Sequence, residues 1–158
     1  MEEITEPLLE EIRLAFKSTI QPPRDQIDDT YGLVVRRFGD RHWSELTYDD
    51  IVAVRGSLSS LYAPGICHYL PALMSFLIAH PDDGDVLHDS IVNYLRVPES
   101  GDADYLKSVF PHVVRCLSEE QKQVVAEFLK LYLSDDPRWE TSLTDSRRLK
   151  NSIRFWKG

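Results

Sequence analysis

His88 and Asp89, adjacent in "LHDSI", have the residue types most able to do chemistry in this chain. Side by side on a helix, histidine and aspartate can hold a divalent metal that activates water for hydrolysis. An earlier histidine and a later aspartate must complete the shell. His68 is the earlier candidate, and Asp102 or Asp104 the later one. His68, however, borders the most apolar stretch of the chain. Asp102 and Asp104 fall in the polar turn "PESGDAD". The simpler reading is a solvated His-Asp pair at the start of a helix, with no metal and no cofactor.

The loop "HPDDGDVLHD" gathers Asp82, Asp83, Asp85 and Asp89 but lacks the ordered D-x-D-x-D-G spacing with a distal glutamate that calcium loops use. Asp83 or Asp85 is better placed to cap the next helix. Together with Asp28 and Asp29 and with Asp49 and Asp50, the residues Asp82, Asp83 and Asp85 make three acidic clusters. They are expected to be exposed and are the candidate surface for a protein partner. Cys67 and His68 are neighbours, and neighbours on a helix point about 100° apart, so a nucleophile–base pair would need another histidine such as His112. Cys67 and Cys116 lie far apart in sequence with no CxxC spacing. Both are expected to be buried, inert thiols, with neither disulfide nor zinc. No P-loop, GxGxxG, GxSxG or HExxH motif occurs.

The 158 residues suit one domain, 42 % hydrophobic and 28 % charged. The formal net charge is −8, unevenly spread: from Arg138 onward six basic residues face two acidic ones, leaving −12 on the rest. An acidic body disfavours nucleic acid, whose affinity comes from phosphate neutralisation, and suits a basic protein partner. "RRFGDRHW" is too short and isolated to reverse that expectation. "MEEITEPLLEEI" does not read as a secretory signal, and "YLPALMSFLIA" is too short to span a membrane, so a cytoplasmic protein is expected.

Helical periodicity sets the elements that would position these residues. A first helix is predicted over 6–19, with Thr5 as N-cap and Pro7 early in it. Residues 24–46 read as irregular, with a β-like run at Leu33–Val35 and with Trp43 and Leu46 as anchors. Thr47 and Asp50 form a capping-box start for a helix carrying Ile51, Val54, Leu58 and Leu61 through Gly56. "YAPGICHYLPALMSFLIAHP" is apolar all round, the mark of a central buried helix, and Pro71 predicts a kink near residues 67–71 or a short first turn followed by a fresh helix near Leu70. Shorter helices follow over 86–95 and over 104–110, the second broken at Pro111. "SEEQ" at 118–121 caps a strong helix with Val124, Val125, Phe128, Leu131 and Tyr132 inward. Residues 138–158 read as a linker plus a docked C-terminal helix carrying Leu149, Ile153 and Trp156. The fold class is therefore all-α. One compact orthogonal bundle of about five to seven helices surrounds a proline-kinked centre, with at most a short β element near residue 34.

These anchors together resemble a family of small bacterial proteins classed as a domain of unknown function. Trp43 and Leu46 precede a helix. Leu61-Tyr62-Ala63-Pro64 leads into Tyr69-Leu70-Pro71-Ala72. Leu117-Ser118-Glu119-Glu120-Gln121 starts the helix that holds Phe128-Leu129, and Phe155-Trp156 comes near the end. The chain departs from the family pattern at His68, where an aromatic pair usually precedes Leu-Pro-Ala. It departs again at Pro64-Gly65, where an acidic residue and alanine usually follow a proline cap. The resemblance implies a compact helical domain and supplies no catalytic residues.

The expectation is a non-catalytic binding protein, in its narrowest form an immunity or antitoxin protein that neutralises a basic bacterial toxin. Two alternatives stand beside it: a helical metal-dependent hydrolase centred on His88-Asp89, and a structural or regulatory subunit of a larger complex.

Overall fold

A computed structural model describes residues 2–28, 31–141 and 145–158, with the side chains of residues 2–4 left out. Among the described residues there are eight α-helices and no strand, an all-α fold as the periodicity predicts. They are α1 (Glu2–Phe16), α2 (Leu33–Phe38), α3 (Tyr48–Val54), α4 (Ala63–Ala79), α5 (Leu87–Leu95), α6 (Asp104–Cys116), α7 (Glu119–Leu129) and α8 (Ser146–Lys157). Short 3₁₀ turns join several of them. No helix among the described residues is long and apolar enough to cross a membrane.

Helix α4 is the centre. Its apolar residues cover the full circumference, and fourteen of its 17 residues are buried. It packs against α1, α6, α5 and α3, while α7 joins α1 to α8. Pro71 does not break α4: the helix runs on from Ala63 to Ala79. An interior proline costs about 3 kcal/mol in an isolated helix. Burial of Leu70, Leu73, Met74 and Leu77 outweighs that, at about 1.5–3 kcal/mol for each large apolar side chain. Gly65 is required by a close approach. A Cβ there would sit 2.3 Å from the Ile27 carbonyl oxygen, which accepts from Tyr62 N at 2.9 Å. The glycine lets the 27–28 segment lie directly on α4.

Several expectations are corrected. α1 starts before Thr5, runs through Pro7 and ends at Phe16. The β-like run near residue 34 is helical instead, because the Asp28 carboxylate accepts from Val34 N and Val35 N, at 2.9 and 3.1 Å, and so caps α2. α3 stops at Val54 before Gly56, and Leu58 lies in a separate 3₁₀ turn. α6 continues through Pro111, which is exposed.

Both capping boxes form. Thr47 pairs with Asp50, and Ser118 with Gln121. Trp43 anchors its loop by donating Nε1–H to the Phe16 carbonyl at 3.0 Å. α8 lays Leu149, Ile153 and Trp156 on the body, and Trp156 Nε1–H donates to the Leu95 carbonyl at 2.6 Å.

Candidate functional site

The three acidic clusters do not form one exposed set. Asp28 and Asp50 are each 5 % exposed, which removes both from any docking surface. Asp28 caps α2. Asp50 closes the α3 capping box and binds Arg37 Nε at 3.0 Å and Arg41 Nη1 at 2.7 Å. The Arg41 contact, together with hydrogen bonds from Thr47, holds its carboxyl well below the usual carboxylate range, against its own desolvation. Asp29 lies outside the described residues.

Asp49, Asp82 and Asp85 are exposed and Asp83 is half-buried. Neither Asp83 nor Asp85 caps α5, whose N-cap is Val86 with no side-chain cap. The turn that carries them folds back onto α3 instead. The nearby Asp83 carboxylate, then burial and the charge of Asp49, raise the Tyr48 pKa. Arg55 ties the same turn down: Nη1 donates to the Asp83 carbonyl at 2.6 Å, and Nη2 lies 3.9 Å from the Asp85 carboxylate. Tyr48 itself is 43 % exposed. Its ring rests on Phe76 and His80, with centroids 5.4 and 4.9 Å away. A shallow cleft of about 210 Å³ beside it is lined by Trp43, Leu46, Tyr48, Phe76 and His80 among others. Two sequence-distant acidic groups, Asp49 and the 82–85 turn, thus meet at one exposed tyrosine beside a partly apolar cleft.

The groups a His-Asp metal centre would need are not brought together. Among the described residues no three His, Cys, Asp or Glu side chains are placed to share a metal ion. His88 is buried and doubly bonded. Nε2 lies 2.8 Å from the Pro81 carbonyl, so it is the N–H donor, and Nδ1 accepts from the Tyr132 hydroxyl at 2.7 Å. Asp89 accepts from Thr141 Oγ1 at 2.7 Å. Asp102 is clamped by Arg96 and Arg148, while Asp104 is fully exposed near Lys107. Tyr132 and Trp139 meet His88 edge to face, with centroids 5.6 and 5.3 Å away, and Phe128 packs edge to face on both of them in turn. Trp139, expected in a linker, is only 1 % exposed.

His68 lines a different cavity, of about 310 Å³, with Thr19, Cys67, Cys116 and Gln121. It is 2 % exposed, and neither ring nitrogen has a hydrogen-bond partner; the Thr19 hydroxyl is likewise buried without one. Burial, aided by His42, pushes its pKa down to about 4, so the imidazole is neutral at pH 7. The cysteines correct the sequence reading. Cys67 is buried, but Cys116 is exposed, and the two line the wall of one cavity, where the Cys67 S–H donates to the Val113 carbonyl at 3.6 Å. Residues 49 positions apart give no local signal of that meeting. Helix-on-helix packing of α4 and α6 creates it.

No curated protein and no solved structure matches this chain. A family profile does match, over residues 5–157, nearly the whole length and including every side chain described above. The chain belongs to the family of unknown function DUF6714.

Proposed function

We propose that this protein is a non-catalytic binding module whose acidic–aromatic face takes a basic protein partner. One observation carries the reading: exposed Tyr48, next to Asp49, packs on His80 at the start of the Asp82–Asp85 turn, beside a cleft. Tyrosine in a partly apolar setting is a common anchor at interfaces, and a carboxylate rim steers cationic partners and fixes their register. A lysine or arginine of the partner lies over the Tyr48 ring, with its charge among Asp49, Asp82 and Asp85. The net charge of −8 adds long-range attraction. In its narrowest form the partner is a basic bacterial toxin and the protein is its cytoplasmic immunity protein or antitoxin.

The test is co-expression with the product of the neighbouring gene, followed by pull-down. The expected result is a stable complex and protection from toxicity, both lost in an Asp49→Asn/Asp82→Asn/Asp85→Asn variant. A neighbour that is neither toxic nor retained removes the toxin reading. Retention that the triple variant leaves intact removes the face.

A further inference from the structure

Cys67 lies one turn into α4, after Pro64, and Cys116 is the last residue of α6. The two helices pack together. Cys67 Sγ lies 3.6 Å from the Val113 carbonyl, and Val113 stands one turn before Cys116 on α6. That contact places Sγ of Cys67 against the last turn of α6, and Cys116 at the end of that turn lines the same cavity. Their surroundings differ sharply. Cys67 is 7 % exposed, while Cys116 opens to solvent. The cavity also holds the His68 ring and the Thr19 hydroxyl, whose buried polar atoms have no hydrogen-bond partner among the described residues. A neutral imidazole provides one N–H donor and one acceptor, which suits a small polar guest beside a thiol.

We propose that Cys116 and Cys67 are an attacking and a resolving thiol, oxidised by hydroperoxides to a reversible disulfide between α6 and α4. The Cys116 thiolate attacks one peroxide oxygen. The O–O bond breaks, and the departing alkoxide or hydroxide takes a proton from water. Cys116 becomes a sulfenic acid. Cys67 sulfur then attacks the Cys116 sulfur, the S–OH bond breaks, and the Cys67 proton leaves with the hydroxide as water. The pair gives up two electrons and the peroxide accepts two: two thiols and one hydroperoxide yield one disulfide, one alcohol or water, and one further water.

The electrostatics assign the roles. The nearby Cys67 thiol, then Arg115, lower the Cys116 pKa to about 6 against its own desolvation, so Cys116 ionises before Cys67. The nearby Cys116 and burial push the Cys67 thiol far up, so it waits as a thiol. Attack from the exposed sulfur followed by resolution from the buried one is the order that both access and ionisation favour.

The experiment titrates the reduced full chain with hydrogen peroxide, counts free thiols, and weighs the intact protein without reductant. The expected product is a monomer lighter by two hydrogens that has lost both thiols together and regains both with dithiothreitol. In a Cys67→Ala variant the Cys116 sulfenic acid should persist long enough to be trapped by dimedone. In a Cys116→Ala variant Cys67 should keep its thiol at the same dose. Three results overturn the proposal: Cys116 sulfinic acid with Cys67 still free, a disulfide-linked dimer through Cys116, or equal oxidation of Cys67 in Cys116→Ala. The wild-type measurements decide even if a variant fails to fold, and none involves the face around Tyr48.

Discussion

Asp50 and Asp102 each lie between two arginines with less than a tenth of the side chain exposed, whereas Asp49, Asp82 and Asp85 stand in solvent. Asp49 and Asp50 are chain neighbours on α3, yet the first turn of the helix points them apart. One closes a capping box and takes Arg37 and Arg41; the other faces outward beside Tyr48. Asp102 organises a larger network. Arg148 grips it with both Nη atoms, at 3.2 and 2.7 Å, and Arg96 reaches it at 3.1 Å. Glu99 takes Arg148 Nε at 2.7 Å and Arg147 Nη2 at 3.1 Å. The basic end of the chain thus meets its acid at one defined turn and clamps α8 there. Buried carboxylates hold this fold together, and exposed ones remain free of that duty.

Substitution should separate the two groups, beginning with Asp102. Asp102→Asn leaves the Arg96 and Arg148 guanidiniums close together without their shared counter-charge. A loss of about 3 kcal/mol is expected by urea unfolding. Asp50→Asn weakens a cap and two pairs whose arginines are more exposed, so about 1–2 kcal/mol is expected. A loss at Asp50 as large as at Asp102 would break the ranking by burial.

Acid sharpens the comparison further. Arg148 and the Glu99 N–H hold the Asp102 pKa at about 2, below the value of 3.8 it would have unfolded. Its contribution is complete above about pH 4 and is lost as pH falls from there through 2. Asp50, depressed more strongly, loses its contribution at still lower pH. His68 acts earlier. Unfolded it protonates near 6.5, folded only near 4, so below 6.5 the unfolded chain binds more protons and stability falls until about pH 4. Thermal melts should therefore show two acid steps. His68→Asn should flatten the upper one, and Asp102→Asn the lower.

Local features were readable in the sequence because their causes are local. Both capping boxes act across three residues, and the all-round apolar pattern of α4 is a property of one segment. What escaped depends on distance along the chain. α2 exists because Asp28 reaches forward to cap it, which periodicity over Leu33–Val35 cannot reveal. Trp139 looked like linker because a single aromatic residue in a polar stretch has no period. Its ring completes a cluster with His88, Phe128 and Tyr132 from two helices and a turn. An interior proline misled in one helix: α6 runs through Pro111, whose ring is exposed. Of the candidate face, the acidic residues were visible but not their division. Aspartate pairs look alike in sequence, and only packing decides which member turns inward.

The exposed group carries the smallest expected effect on stability and therefore the cleanest test of function. Among the described residues Asp49, Asp82 and Asp85 support no cap and no buried pair; the one ion pair among them, Arg55 with Asp85, is 3.9 Å long, with the Asp85 side chain exposed. Replacing all three by asparagine should change unfolding free energy by less than about 0.5 kcal/mol, since surface changes away from such features usually do. It should relieve like-charge crowding, so a slight stabilisation fits the same picture. Binding of the basic partner should weaken sharply, and what remains should respond less to added salt, because the screened attraction is what the variant removes. Tyr48→Ala is the complement: it keeps the charges, so the salt dependence should persist while affinity falls with the anchor. A triple variant that unfolds as readily as Asp102→Asn would mean that the outward carboxylates also hold the fold, and the division between the two groups would fail.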